Sequence, residues 1–286
     1  MAVSLERLVS SPDFTKAMVE MARRLQRDCH SHPRLTRVVG SHRRWLLAQV
    51  IFLLQSQPES VGGKGGLTAG RFKQMVVEAG IASRNTALSF LQHLVFYRLL
   101  VVETAENVRP RRYVLAEKSL AAWKCWFLVT IDVLDAVDDG NRRKLFRERP
   151  ELFTLTQVEM SRRCIEDKRW REPSERIGLF HWTEAGILVI RDLLSRISGL
   201  EPVDGWYDIG DADLPELAAA LLMSRTHLQR LYRKAVDQGC LAPKPGLKGQ
   251  FLLSEGFVQE YCQWQAIRFA HLDAAIDEAV AFTSKA

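Results

Sequence analysis

SRNTALSFLQHLVFYRLL, residues 83–100, and SRTHLQRLYRKAVDQGCL, residues 224–241, stand 141 residues apart and follow one pattern. Ser83 aligns with Ser224, Arg84 with Arg225, Val95 with Val236 and Leu100 with Leu241. In each string a serine that can accept hydrogen bonds from the free amides of a first helical turn precedes apolar residues at helical spacing. Another short helical stretch lies just upstream of each. Ala69 to Glu78 joins through Ala79-Gly80-Ile81-Ala82, and Leu214 to Ala220 joins through Leu221-Leu222-Met223. Gly80 suits a sharp helix-to-helix turn because it has no Cβ to clash at positive φ. A helix-turn-helix is therefore predicted twice.

Working outward, the similarity extends over most of the chain. FTKAMVEMARRLQRD from Phe14 returns as FTLTQVEMSRRCIEDK from Phe153, 139 residues later. Near the end of each half, Trp126, Leu134, Asp135 and Ala136 match Trp264, Leu272, Asp273 and Ala274 at a spacing of 138. Three collinear blocks indicate an internal duplication. The polar cluster Asp138-Asp139-Gly140-Asn141 marks the boundary, giving repeats of 1–140 and 141–286. Each repeat is expected to open with an amphipathic helix, Pro12 to Cys29 and Phe153 to Lys168, followed by a densely apolar helix, Arg43 to Gln55 and Glu184 to Ser198. Glycine-rich or acidic loops end these second helices. After each helix-turn-helix, a short strand, a basic tip and a returning strand (Leu99 to Glu103 with Arg112 to Ala116, and Cys240 to Ala242 with Gln250 to Leu253) predict a wing. A long aromatic helix closes each repeat, Ser119 to Val137 and Gly256 to Phe282.

The expected fold is mainly α with small β-wings: two tandem winged helix-turn-helix domains plus long packing helices about a pseudo-twofold axis. The helix order resembles the MarR-like winged-helix regulators, in which long terminal helices hold two winged helices together. The string SRTHLQRLYRK also resembles the helix-turn-helix of AraC-type regulators, although the wing that follows it departs from them. The resemblance implies double-stranded DNA as partner, transcription regulation as role, and a small-molecule effector pocket between the repeats. For Trp126 and Trp264, which recur, core packing is the simpler account. The chain is expected to act as a monomer with pseudo-dimeric symmetry or as a homodimer.

A recognition helix carries base-reading and phosphate-reading side chains on its first turns, and a wing reaches the flanking backbone. In the second repeat Arg225, Thr226, Gln229, Arg230 and Arg233 meet that requirement, while Leu228, Leu231 and Ala235 anchor the helix. In the first, Arg84, Asn85, Thr86 and Ser89 form a less cationic set, compensated by Arg109, Arg111 and Arg112 in the wing TAENVRPRRY. The second wing, APKPGLKGQ, offers Lys244 and Lys248. Arg23-Arg24 and Arg162-Arg163 recur too, but Glu20 and Glu159 stand four residues before Arg24 and Arg163, so helix-surface ion pairs are expected there.

Composition sets the remaining bounds. A net charge of +6 is compatible with a polyanionic partner without requiring one. The longest apolar runs fall short of the roughly 20 residues that span a bilayer, and the N-terminal stretch lacks a secretory pattern, so a cytoplasmic location is expected. Five widely spaced cysteines without a CxxC fit reduced thiols. GGKGGLT lacks the GxxxxGK[ST] spacing and reads as a loop, and Cys29, His30, His32 and His42 match no zinc pattern and read as surface residues. No cofactor, metal or enzyme motif is expected. The alternatives are a plasmid-type replication initiator, which also uses tandem winged helices, and a protein-interaction scaffold without DNA binding.

Overall fold

The computed structural model describes residues 3–29, 33–56, 65–104, 108–199, 201–247 and 249–284; the side chains of 28, 29 and 33–35 lie outside the description. The chain is mainly helical with two small three-stranded antiparallel sheets. Up to residue 140 the order is α1 (Leu5–Ser10), α2 (Pro12–Cys29), α3 (Pro33–Val38), α4 (His42–Gln55), β1 (Leu67–Thr68), α5 (Ala69–Glu78), α6 (Arg84–Phe96), β2 (Leu100–Val102), β3 (Arg112–Leu115) and α7 (Glu117–Asp138). Beyond it come α8 (Arg142–Glu148), α9 (Leu152–Glu166), α10 (Lys168–Arg171), α11 (Glu175–His181), α12 (Gly186–Ser195), β4 (Trp206–Asp211), α13 (Leu214–Ala220), α14 (Arg225–Asp237), β5 (Leu241–Pro243), β6 (Gln250–Ser254) and α15 (Glu255–Thr283). Apart from α10, the second half runs through the same order of elements as the first.

Both sheets share one topology, β1-β3-β2 and β4-β6-β5, so the last strand of each hairpin also pairs with a strand that precedes the two short helices. That third strand falls in stretches expected to be loops. Leu67 and Thr68 are too few to show a periodicity, and Thr68 also caps α5 by accepting from the Arg71 amide. In β4, Tyr207 and Ile209 are buried in alternation, but Asp208, Gly210 and Asp211 dilute the signal. Two predicted helices are shorter than expected. Asp167 interrupts the helix expected to run to Lys168 by capping α10, and Ala185 at φ 60° delays α12 to Gly186.

The halves are interlocked. Helix α2 packs against α7 of its own half and α12 of the other, and α9 packs against α15 and, across the boundary, α4. Likewise α1 lies on α15 and α8 on α7. Such reciprocal contacts are those of a twofold interface, in which each side offers the same surface to its partner. Apolar stripes drive the packing: Phe14, Met18, Met21 and Leu25 of α2 are all buried, and Phe14 meets Phe269 of α15 edge to face at 5.3 Å between ring centroids. Helix α4 is buried almost all round, as its composition requires. Its one polar core residue, Gln49, joins a buried network: Gln157 Nε2 and Ser161 Oγ of α9 each donate to Gln49 Oε1 at 2.8 Å, and Trp123 Nε1 of α7 donates to Gln157 Oε1 at 3.2 Å. Trp264 is a core residue, stacked on Trp170 at 4.2 Å, whereas Trp126 is only partly buried.

Charged groups fasten the boundary. Asp135 accepts from the Arg142 and Arg143 amides at the start of α8, both at 2.9 Å. Its counterpart Asp273 accepts from the Val3 amide just before α1, a position 139 residues from Arg142. The Arg142 guanidinium then ties both ends together, bonding Asp273 through Nε at 2.7 Å and Asp138 through Nη1 and Nη2, each at 2.7 Å. The expected ion pair of Arg163 with Glu159 is present at 2.6 Å. Arg24 departs from expectation and pairs with Asp132 of α7 instead of Glu20, because α7 lies closely against this face of α2. His42 is not a surface residue: it is 1% exposed and surrounded by Trp45, Trp170, Trp182, Trp264 and His181. His30, His32 and residues 62–64 of the glycine-rich stretch lie outside the described residues, as does the Cys29 side chain. Cys164, Cys240 and Cys262 are buried free thiols and Cys125 is an exposed one. No helix among the described residues is long and apolar enough to cross a membrane.

Candidate nucleic-acid interface

Two helix corners position the predicted reading helices. In the first, α5 ends in a turn where the Ile81 amide reaches back to the Val76 carbonyl at 3.0 Å and Gly80 sits at φ 67°. In the second, the Met223 amide bonds the Ala218 carbonyl at 2.8 Å, the same five-residue span, but the left-handed position is Leu222 at φ 53°. A Cβ costs roughly 1–2 kcal/mol in this conformation. Because Leu222 is also exposed, Leu222→Gly is expected to stabilise the protein by about 0.5–1 kcal/mol after the added freedom of glycine in the unfolded chain is deducted. Urea unfolding measures it, and a lower midpoint would show that the leucine side chain is held by contacts that outweigh the strain.

The serines cap as expected. Ser83 Oγ accepts from the Thr86 amide and Ser224 Oγ from the His227 amide, both at 3.2 Å, which starts α6 and α14 at equivalent points. On α14, Leu228, Leu231, Tyr232 and Ala235 are buried, so its opposite face is fixed outward. That face carries Arg225, Thr226, Gln229, Arg230 and Arg233, all exposed. Among the described residues, Arg225, Arg230 and Arg233 form no ion pair. Arginines elsewhere on the surface are engaged: Arg162 with Glu159 and Glu166, Arg169 with Asp167, and Arg196 with Asp192. On α6, Ala87, Phe90, Leu91 and Leu94 face the core and leave Arg84, Asn85, Thr86 and Ser89 exposed.

The wings differ. Arg109 and Arg111 are exposed at the tip of the first hairpin and Arg112 is half-buried at the start of β3. In the second hairpin Lys244 is drawn back onto β4, its Nζ 2.5 Å from Asp208 Oδ2, which also keeps the Asp208 carboxyl below its usual pKa. Lys244 is thus partly neutralised, a pairing invisible while residues 206–211 were read as loop. Lys248 lies outside the described residues. The second half therefore presents its positive charge on the helix, and the first half presents much of it on the hairpin.

Sequence reasoning missed a pair of clasps behind these corners. Arg37 of α3 donates to the Leu222 carbonyl in the second corner, and Arg171 at the end of α10 donates to the Ala79 carbonyl in the first. Each corner is held by a guanidinium from the opposite half, supplying a partner to carbonyls left open at a helix end. Nothing in residues 34–37 or 168–171 alone indicates which carbonyl an arginine will find. Phe96, Tyr97, Val101, Val102 and Val108, beside and within the first hairpin, are exposed apolar residues. No protein-family model matches the chain, and no curated protein or solved structure does either.

Proposed function

We propose that this chain is a sequence-specific double-stranded DNA-binding regulator in which two tandem winged helix-turn-helix units, residues 1–140 and 141–286, act as a dimer within one polypeptide. The observation that carries the reading is the outward face of α14, where three exposed arginines without acidic partners sit on the first turns of a capped helix behind a tight corner. Unpaired cations on such a face suit phosphate and base edges, since neutralising phosphates releases counterions and a guanidinium can bond guanine in two places. The shared strand order and reciprocal helix packing support duplication of one winged unit. Helices α6 and α14 would then lie in successive major grooves, about 34 Å apart. Because they differ at nearly every exposed position, the preferred site is asymmetric or an imperfect palindrome, with α14 contributing more of the affinity.

Fluorescence anisotropy with duplexes from upstream of the protein's own gene tests this. Arg225→Ala with Arg230→Ala is expected to weaken binding by at least about tenfold and, where both touch phosphate, to flatten the slope of log affinity against log salt by about 1.8. Unchanged affinity would remove α14 from the interface, and absence of binding at low salt would overturn the reading. The exposed apolar residues around the first hairpin favour the second reading, a protein-interaction scaffold; its mark is the absence of duplex binding with retained folding.

A further inference from the structure

Where the two halves meet, the interlocked helices leave a cavity of about 140 Å³. Its walls include Trp123 and Trp126 of α7, Trp170 of α10 and Tyr261 of α15. A cavity of this size accepts one six-membered ring: an engineered void of about 150 Å³ in another protein holds benzene. This cavity differs from that void in its polar wall. Arg191, Arg268 and His181 line it, and among the described residues no carboxylate does. His181 is 2% exposed with neither ring nitrogen hydrogen-bonded, and the buried Nε1 of Trp170 likewise has no partner. Buried donors left unsatisfied in this way cost about 1–3 kcal/mol each, which a ligand with matching acceptors would recover.

Arg268 is the charge at the centre of the arrangement. Its guanidinium stacks 4.6 Å from the Phe269 ring centroid and 6.0 Å from that of Trp170, and its Nε donates to the neutral Gln265 Oε1 at 3.1 Å. It meets no carboxylate among the described residues. A packed, weakly polar setting depresses its pKa below that of an ordinary arginine. The position is specific to the second half: 138 residues earlier, at the spacing that matches Trp126 to Trp264, stands Thr130, which lines the same cavity. A guanidinium without a counter-charge, beside two unsatisfied ring donors and a wall of aromatic faces, lacks one component.

From this geometry we propose that the cavity is a binding site for a single-ring aromatic carboxylate, its ring stacked among the tryptophans and its carboxylate bound by Arg268 with His181 and Trp170 donating beside it. The carboxylate supplies the missing negative charge and acceptors together, and the ring fills the apolar remainder. The inference rests on the cavity walls and not on the DNA-binding reading, so it is tested without DNA.

Benzoate is the probe, with benzamide as its neutral isostere and acetate as the ringless anion. Titrated to about 10 mM, benzoate is expected to quench tryptophan fluorescence saturably and raise the melting temperature, with a dissociation constant at or below the millimolar range. Benzamide and acetate should bind at least about tenfold more weakly, as loss of a charge-assisted hydrogen bond requires. Arg268→Met should weaken benzoate by about tenfold to a hundredfold while the unliganded protein melts at the same temperature or higher, because an uncompensated charge has left the interior. A wild-type protein that does not saturate with benzoate overturns the proposal, whatever the variant does. Equal binding of benzamide overturns the anionic class, and unchanged benzoate affinity in a folded Arg268→Met overturns the site.

Discussion

Arg142→Ala is expected to destabilise the protein by about 3–5 kcal/mol, the largest effect of any single substitution considered for this chain. The Arg142 side chain is 13% exposed, and it faces Asp273, whose side chain is 1% exposed. Removing the guanidinium leaves Asp273 with only the Val3 amide, and so leaves a buried carboxylate nearly uncompensated. Asp138 loses its two-bond partner in the same step; that bond is the main reason its carboxyl titrates below the usual range. The damage falls at the junction of α7, α8 and α15, where the halves are fastened. A second variant separates ion-pair loss from lost packing. Arg142→Met with Asp273→Asn removes both the buried charge and its partner, and should recover a large part of the deficit. Urea unfolding reads both variants, and a loss below about 1 kcal/mol for Arg142→Ala would show that solvent reaches this cluster.

Acid should unfold the protein early, and two histidines set the slope. His42 is held to a pKa of about 3 by burial, in spite of its Nε2 lying 3.0 Å from the Trp170 carbonyl, and His181 is depressed well below 6.5 by burial and then by its neighbours His42 and Arg268. Both are neutral in the folded state, whereas in the unfolded chain they take up protons near pH 6.5. Below that pH the unfolded state binds more protons than the folded one, so stability is full above about pH 6.5 and falls as pH drops toward the folded values. Each histidine contributes about 1.4 kcal/mol per pH unit, so the pair lowers stability by about 4 kcal/mol between pH 6.5 and pH 5. Replacing His181 by Phe should halve that dependence while keeping an aromatic ring beside Trp264 and Tyr261. Urea midpoints taken from pH 7.5 to 5 check it; a wild-type profile that is flat across this window would mean that the imidazoles are hydrated in the folded protein.

The two readings differ in how far sequence could reach. Helix positions were legible because their cause is local: the stripe of Phe14, Met18, Met21 and Leu25 has helical spacing, and Ser83 and Ser224 cap helices within three residues of themselves. The outward face of α14 followed from the same periodicity, since knowing that Leu228, Leu231 and Ala235 are inside fixes where Arg225 and Arg230 must be. Strands β1 and β4 were not legible. They exist because β3 and β6 have a free edge to pair, and that edge is supplied by residues far along the chain. The fate of single charges was equally hidden. Lys244 and Arg24 each chose a partner that tertiary packing brought near, Asp208 and Asp132, over the solvent or the local glutamate.

By itself, then, the order of residues determined the helices, their buried faces, the repeated pattern and the point near residue 140 where one half gives way to the next, because each depends on neighbours within a few turns. Only the folded chain decided that each half's opening helix packs against the other half, that Arg37 and Arg171 cross over to hold the opposite corner, and that Arg268 and His181 share one aromatic chamber. Those juxtapositions join residues up to 185 positions apart. They arise where whole helices settle against one another, and the spacing of residues along any one helix holds no record of them.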